Sequence, residues 1–176
     1  MIINRIGRVA DQSKNICEET IFAATGETKE PKTYSILFID EKDDSLTQLA
    51  AAYGRRAFPD SAIFSSAGWA AAARVDPRAG KVAESNGLDL GDARPTPLGS
   101  LSDRVDDTHV VVSLQNGGRR HLGRIPYHTV LLEWPVGYPD PHGDQQRLEA
   151  GFEEGLRAVG VEIRRLLEIL RGEGAG

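Results

Sequence analysis

The sequence predicts an α/β protein: a four-stranded parallel, doubly wound sheet with one extra helix at the N-terminus. Three observations lead there. Short apolar or β-branched runs alternate with segments of helical periodicity, the pattern of a parallel sheet whose crossovers are helices. The first full unit, Tyr34 to Ala52 (YSILFIDEKDDSLTQLAAA), passes from an apolar run through a polar loop directly into a helical repeat. Near the other end, Leu148, Phe152, Leu156, Val159, Ile163, Leu166 and Leu170 recur at i, i+3, i+4 spacing and predict a long closing helix with one buried face.

Taken in order, residues 1–26 carry Ile2, Ile6, Val9, Ile16 and Ala23 at heptad-like spacing, and Gly26 is placed to end a helix. Such a helix needs a partner for its stripe, either the main domain or the same helix of a second subunit. Residues 27–33 (ETKEPKT) read as a linker, 34–172 as the α/β domain and 173–176 as a tail. Ile36 to Ile39 form the first strand. Ser45 and Gln48 have the spacing of a capping box for the helix that follows. A short strand is expected at Ala62–Ser65. Asp76-Pro77 is an N-cap and N1 pair for a helix running to Asn86-Gly87. Thr96-Pro97 opens a shorter helix toward Asp103. Thr108–Leu114 and Thr129–Trp134 supply the third and fourth strands.

Composition narrows the function. The net charge of −5 and the absence of a basic stripe along the sequence argue against nucleic-acid binding. No run reaches the length of a membrane span, and the N-terminus lacks a signal-peptide core, so membrane insertion is not expected and a cytoplasmic location is. Cys17 is the single cysteine, which excludes an internal disulfide or a two-thiol relay within one chain.

In open parallel sheets the site lies beyond the carboxyl ends of the strands. That rule gathers the loops 40–45, 66–70, 115–118 and 135–143 on one rim, with Asp40, Glu41, Lys42, Asp43, Asp44, Ser45, Trp69 and Tyr138 as ligand-binding candidates. A strand, tight loop and helix N-terminus make a frame that suits anions. The filling does not: the loop 40–45 holds four carboxylates and one ammonium, a net side-chain charge of −3. Several uses fit it. Asp43, Asp44 or Ser45 caps the helix, favoured by its dipole; Asp40, Asp43 and Asp44 converge on a hard cation; the loop docks a basic partner or a ligand other than phosphate; or Asp40 accepts a phosphoryl group. Trp69 either lines the rim or covers the sheet edge. The four histidines show no ligand spacing.

From Ser35 to Leu170 the chain resembles the low-molecular-weight protein tyrosine phosphatases, whose fold the thioredoxin-coupled arsenate reductases share. The resemblance rests on ILFI before the loop, FSSAG at Phe64–Gly68, VDPRAGKVAESNGLDLGDARPTPL at Val75–Leu98, DDTHVVVSL, and WPVGYPDPHG. It implies that the nucleophilic Cys position is Asp40, the Asn position Asp43, the Arg position Leu46 and the following Ser position Thr47. The thiolate nucleophile and the guanidinium clamp are thus both replaced, which removes the charge neutralisation that phosphoryl transfer depends on. The general-acid position is kept as Asp140-Pro141, with no nucleophile to assist.

The segment NRIGRVADQSKNICEETIFAATGE resembles the last helix of the PhoU phosphate-uptake regulators. Of the metal-binding acids that this likeness implies, only Asp11 is present, since the acid four residues earlier is Gly7. The likeness further suggests a chain descended or cut from a longer fusion. ILFIDEKDDSLTQLA also resembles the first strand of a response-regulator receiver, but no apolar strand precedes Asp89 or Asp92 and the last lysine is Lys81. The expectation is therefore a phosphatase-like regulatory or scaffolding protein that has lost its chemistry, connected to phosphate homeostasis, with a protein partner, an N-terminal helix able to form a homodimer, and no cofactor. Residual or metal-assisted hydrolysis at Asp40 is the enzymatic alternative.

Overall fold

The computed structural model describes residues 33–101, 107–139 and 144–171. The PhoU-like segment with Asp11, most of the linker, the general-acid position Asp140 and the tail lie outside the described residues.

The sheet has four parallel strands in the order β2-β1-β3-β4, with β1 at Tyr34–Asp40, β2 at Ala62–Gly68, β3 at Val110–Ser113 and β4 at Val130–Glu133. β1 sits in the middle because it can afford to be buried on both faces. Its residues Ile36 to Ile39 are at most 1% exposed, as a central parallel strand requires. Side chains alternate across it. Ile36 and Phe38 join the larger core with Phe64, Val110 and Val112, and the helices cover that face. Leu37 and Ile39 face the other way, toward Ala67, Leu98, Val111 and Leu122, under a thinner cover that includes Trp69 and Ile125.

Three helices are described: α1 (Leu46–Ala57), α2 (Pro77–Ser85) and α3 (Gln145–Arg171). The Asp76 carboxylate caps α2 as the sequence predicts, accepting from the Arg78 amide at 2.8 Å. The apolar series of α3 faces the core, with Leu148, Phe152, Leu156, Val159, Ile163 and Leu166 all buried. Two glycines of α3 let α1 come close. A Cβ on Gly155 would stand 2.8 Å from a Leu46 methyl, and one on Gly160 would stand 3.1 Å from the Tyr53 ring.

The elements differ from expectation in three places. β2 continues past Ser65 to Gly68, because parallel pairing with β1 carries on to Asp40↔Gly68 although Ser, Ala and Gly are weak strand formers. The Thr96-Pro97 stretch leads into a 3-10 turn at Leu98–Leu101 where an α-helix is expected, and the rest of that segment, from 102 past Asp103, lies outside the described residues. The capping box at Ser45 does not form: no side-chain bond caps α1 at Ser45, and Gln48 is drawn to Asp43 instead.

Candidate functional site

β1 and β3 are neighbours whose chains leave toward opposite edges of the sheet, so their carboxyl ends diverge and open a crevice. Asp40 closes β1 there. The Glu41 amide reaches across the crevice to the Gln115 side-chain carbonyl at 3.1 Å. The stretch after β2 is laced to the same loop: the amides of Trp69, Ala70 and Ala72 donate to the carbonyls of Asp40, Glu41 and Lys42. The gathering of the loops 40–45, 66–70, 115–118 and the described part of 135–143 on one rim is therefore as the topology requires.

The acidic loop divides into an inner and an outer pair. Asp40 and Asp43 are 1% and 0% exposed, whereas Glu41 lies in solvent and Asp44 is half-buried. Asp40 is held on three sides. Its Oδ1 accepts from the Asp43 amide at 2.6 Å, and its Oδ2 accepts from the Tyr138 phenol at 2.5 Å and the Thr47 hydroxyl at 3.3 Å. Burial pushes its carboxyl upward from the ordinary aspartate range, and the bonds from Tyr138 and Asp43 pull partly back. The Tyr138 phenol is pushed well above its usual value by its own burial and by the Asp40 carboxylate.

Asp43 is the hub. It is the single described non-glycine residue with a positive φ, 51°, in the left-handed region that aspartate tolerates better than most residues. That turn throws its side chain inward, where Oδ2 accepts from the Thr96 amide at 2.8 Å and from Gln48 at 3.0 Å. Its Oδ1 accepts from the Thr47 hydroxyl at 3.0 Å. Burial raises the Asp43 carboxyl to about 6 against these bonds and that of Ser66. The bond to Gln48 removes the residue expected to cap α1.

What remains open is a cavity of about 250 Å³. Asp40, Glu41, Lys42, Asp44, Ser45 and Tyr138 reach it from the candidate set, joined by Asp76, Arg78 and Gln115. Arg78 is the guanidinium nearest to hand, but it is bound to the Asp76 carboxylate through two nitrogens, and this bond holds the Asp76 carboxyl below its usual range. Leu46, where the phosphatase resemblance leads one to expect an arginine, is 1% exposed and packed against Gly155, so its side chain belongs to the α1–α3 contact rather than to the cavity. Trp69 does not line the cavity. Its ring stacks on His121 at 4.3 Å and covers the second face of the sheet. The oxygens of Asp40, Asp43 and Asp44 are taken up by hydrogen-bond donors of the protein, with the Thr47 hydroxyl shared between the first two, and among the described residues no group of three or more His, Cys, Asp or Glu side chains is placed to hold a metal ion. Sequence reasoning missed Gln48, Thr96 and Gln115 as members of the site. Thr96 beside a proline was legible only as a helix start, and nothing in the sequence distinguishes a buried Gln48 from a capping one.

No protein-family model and no curated protein matches the chain. Solved structures do. The chain is 25% identical to the tyrosine phosphatase Wzb of Escherichia coli K30 in complex with sulphate, over 79% of this chain and 99% of that one, with a TM-score of 0.60. An arsenate reductase in its oxidized state is 20% identical over 78% of this chain and 99% of its own, with a TM-score of 0.66. The thioredoxin-dependent arsenate reductase of Corynebacterium glutamicum is 19% identical over 86% and 70%, with a TM-score of 0.61. The described domain has the fold of the low-molecular-weight tyrosine phosphatases and arsenate reductases.

Proposed function

We propose that this is a phosphatase-fold protein without phosphoryl-transfer chemistry, which acts by binding, in a regulatory or scaffolding role. One observation carries the reading. At the strand end where the fold would place a nucleophile stands Asp40, buried and consumed by Tyr138, Thr47 and the Asp43 amide. A carboxylate in that position occupies the anion cradle from inside. Wzb has been solved with sulphate bound; here an incoming oxyanion would meet Asp40, Glu41 and Asp44, against Lys42 and an Arg78 already paired with Asp76. The connection to phosphate homeostasis rests on the likeness of residues 2–26 to PhoU, and the same segment is the proposed homodimer contact.

The enzymatic alternative draws on the four carboxylates, Asp40, Glu41, Asp44 and Asp76, that line one cavity. A cation brought in by substrate would be needed to make Asp40 useful there. Hydrolysis of a simple aryl phosphate by the purified chain, with and without Mg²⁺ and beside Asp140→Ala, separates the two. No turnover above that of the variant is the expected result. Turnover that depends on Mg²⁺ and is lost in Asp40→Asn would establish the alternative.

A further inference from the structure

On the helical face of the domain, away from the acidic crevice, a groove of about 730 Å³ runs between the end of α1 and the middle of α3. Its apolar lining is Ala57, Leu88, Leu156 and Val161. Arginines stand along it. Arg157, Val161, Arg164 and Glu168 follow one another at i, i+4, i+7 and i+11 on α3, a single straight stripe, and Arg165 and Arg56 flank it. The sequence shows no basic stripe, because Arg56 lies a hundred residues from the others and joins them only in the fold.

The groove is open for business in its charges. Arg56 spends one nitrogen on the carbonyls of Asn86 and Gly87. Arg157 and Arg165 make exposed pairs with Glu153 and Glu162, the kind that contribute little and exchange readily. Arg164 has no ion pair or hydrogen bond among the described residues, and Val161 is 51% exposed although it sits between two arginines. The Tyr53 hydroxyl, which faces the groove beside Gly160, is likewise without a hydrogen-bond partner among the described residues.

We infer that this groove docks an acidic amphipathic helix of a partner protein, laid along α3 with an apolar residue over Val161 and Leu156 and carboxylates toward Arg157, Arg164 and Arg56. Charge complementarity selects the occupant: four guanidinium groups against one carboxylate line the groove, on a chain whose net charge is −5. The stripe runs from Arg157 to Glu168 of α3, about 17 Å at helical rise, which suits a helix lying in a groove. Glutamates 153, 162 and 168 interrupt the cationic field, which disfavours a continuous polyanion such as nucleic acid or an anionic membrane surface.

The test is fluorescence anisotropy of the full chain with a labelled helical peptide bearing a leucine stripe flanked by glutamates. Its lysine-flanked counterpart, a peptide of residues 1–26 and phosphatidylserine vesicles are run beside it. The acidic peptide is expected to bind saturably, to weaken as salt rises, and to lose about tenfold or more in affinity in Arg164→Glu and in Val161→Glu. Both positions are exposed, and circular dichroism checks that the variants fold. Absence of saturable binding overturns the inference, as does affinity unchanged in both variants. Equal binding of the residue 1–26 peptide would make the chain's own segment the occupant. Self-association abolished by Val161→Glu would make it a second copy, and preferential binding to vesicles would make it a membrane; each of these overturns the partner helix.

Discussion

The phenol of Tyr138 donates a 2.5 Å hydrogen bond to Oδ2 of Asp40, joining the end of β1 to the loop that leads into α3 across 98 positions of chain. This contact forms one wall of the cavity beyond the carboxyl ends of the strands. Tyr138→Phe removes the donor and leaves a buried carboxyl short of a partner. It is expected to destabilise the domain by about 1–3 kcal/mol in urea unfolding. The same change should move Asp40 titration further upward, since the Tyr138 bond lowers it. A variant as stable as the parent at neutral pH would mean that the bond contributes nothing.

Asp43 gives the domain a pH dependence of defined sign. Its folded carboxyl is raised to about 6 from an ordinary value of 3.8, so between these values the folded state binds more protons than the unfolded one. Stability therefore falls as pH rises through that window, by up to about 3 kcal/mol from this group. Asp43→Asn presents one carbonyl to Thr96 and Gln48 and an amide to Thr47, and cannot ionise. Urea midpoints followed from pH 4 to 7 should fall in the parent and fall less in the variant. A parent that gains stability over this range would contradict the burial of Asp43.

The two carboxylates also show where sequence reading stops. β1, β3, β4, α2 and α3 were legible, because a parallel strand shows as a short apolar or β-branched run and burial of a helix face imposes a period of 3.6 on the apolar residues. The rim was legible from topology alone. Within the loop no such period operates. Asp40, at the end of β1, and Asp43 are buried while Glu41 is exposed, and the inward turn of Asp43 comes with φ = 51°, a single backbone angle that leaves no mark on composition. Formal charge thus described four equivalent acids, when two of them are internal hydrogen-bond acceptors. The arginine groove was illegible for another reason, since Arg56 and Arg164 meet only through the packing of α1 on α3.

Gly68 is the point where β2 supports the loop. A Cβ there would lie 2.8 Å from the Glu41 carbonyl oxygen and 2.9 Å from the Asp43 nitrogen, and both are backbone atoms that have no rotamer to give. Gly68→Ala is expected to cost about 1–3 kcal/mol and to disturb the Asp40–Asp43 contact. Thermal unfolding would show the loss, and proton exchange at the Asp43 amide would show its site. An unchanged midpoint would mean that the loop is free to shift.

Introducing the residues that the phosphatase resemblance implies is expected to fail at Leu46. The side chain there lies between α1 and Gly155 of α3, not in the crevice. Leu46→Arg would place a guanidinium in an apolar contact, a change costing several kcal/mol unless the charge escapes to solvent. The double variant Asp40→Cys, Leu46→Arg should therefore unfold more easily than Asp40→Cys alone and should gain no protection from millimolar phosphate in a thermal shift assay. Binding of phosphate to the folded state would raise the midpoint in proportion to its affinity. A clear phosphate-dependent rise in the double variant, absent from the parent, would show that the α1 N-terminus still re-forms an anion cradle once Asp40 no longer fills it.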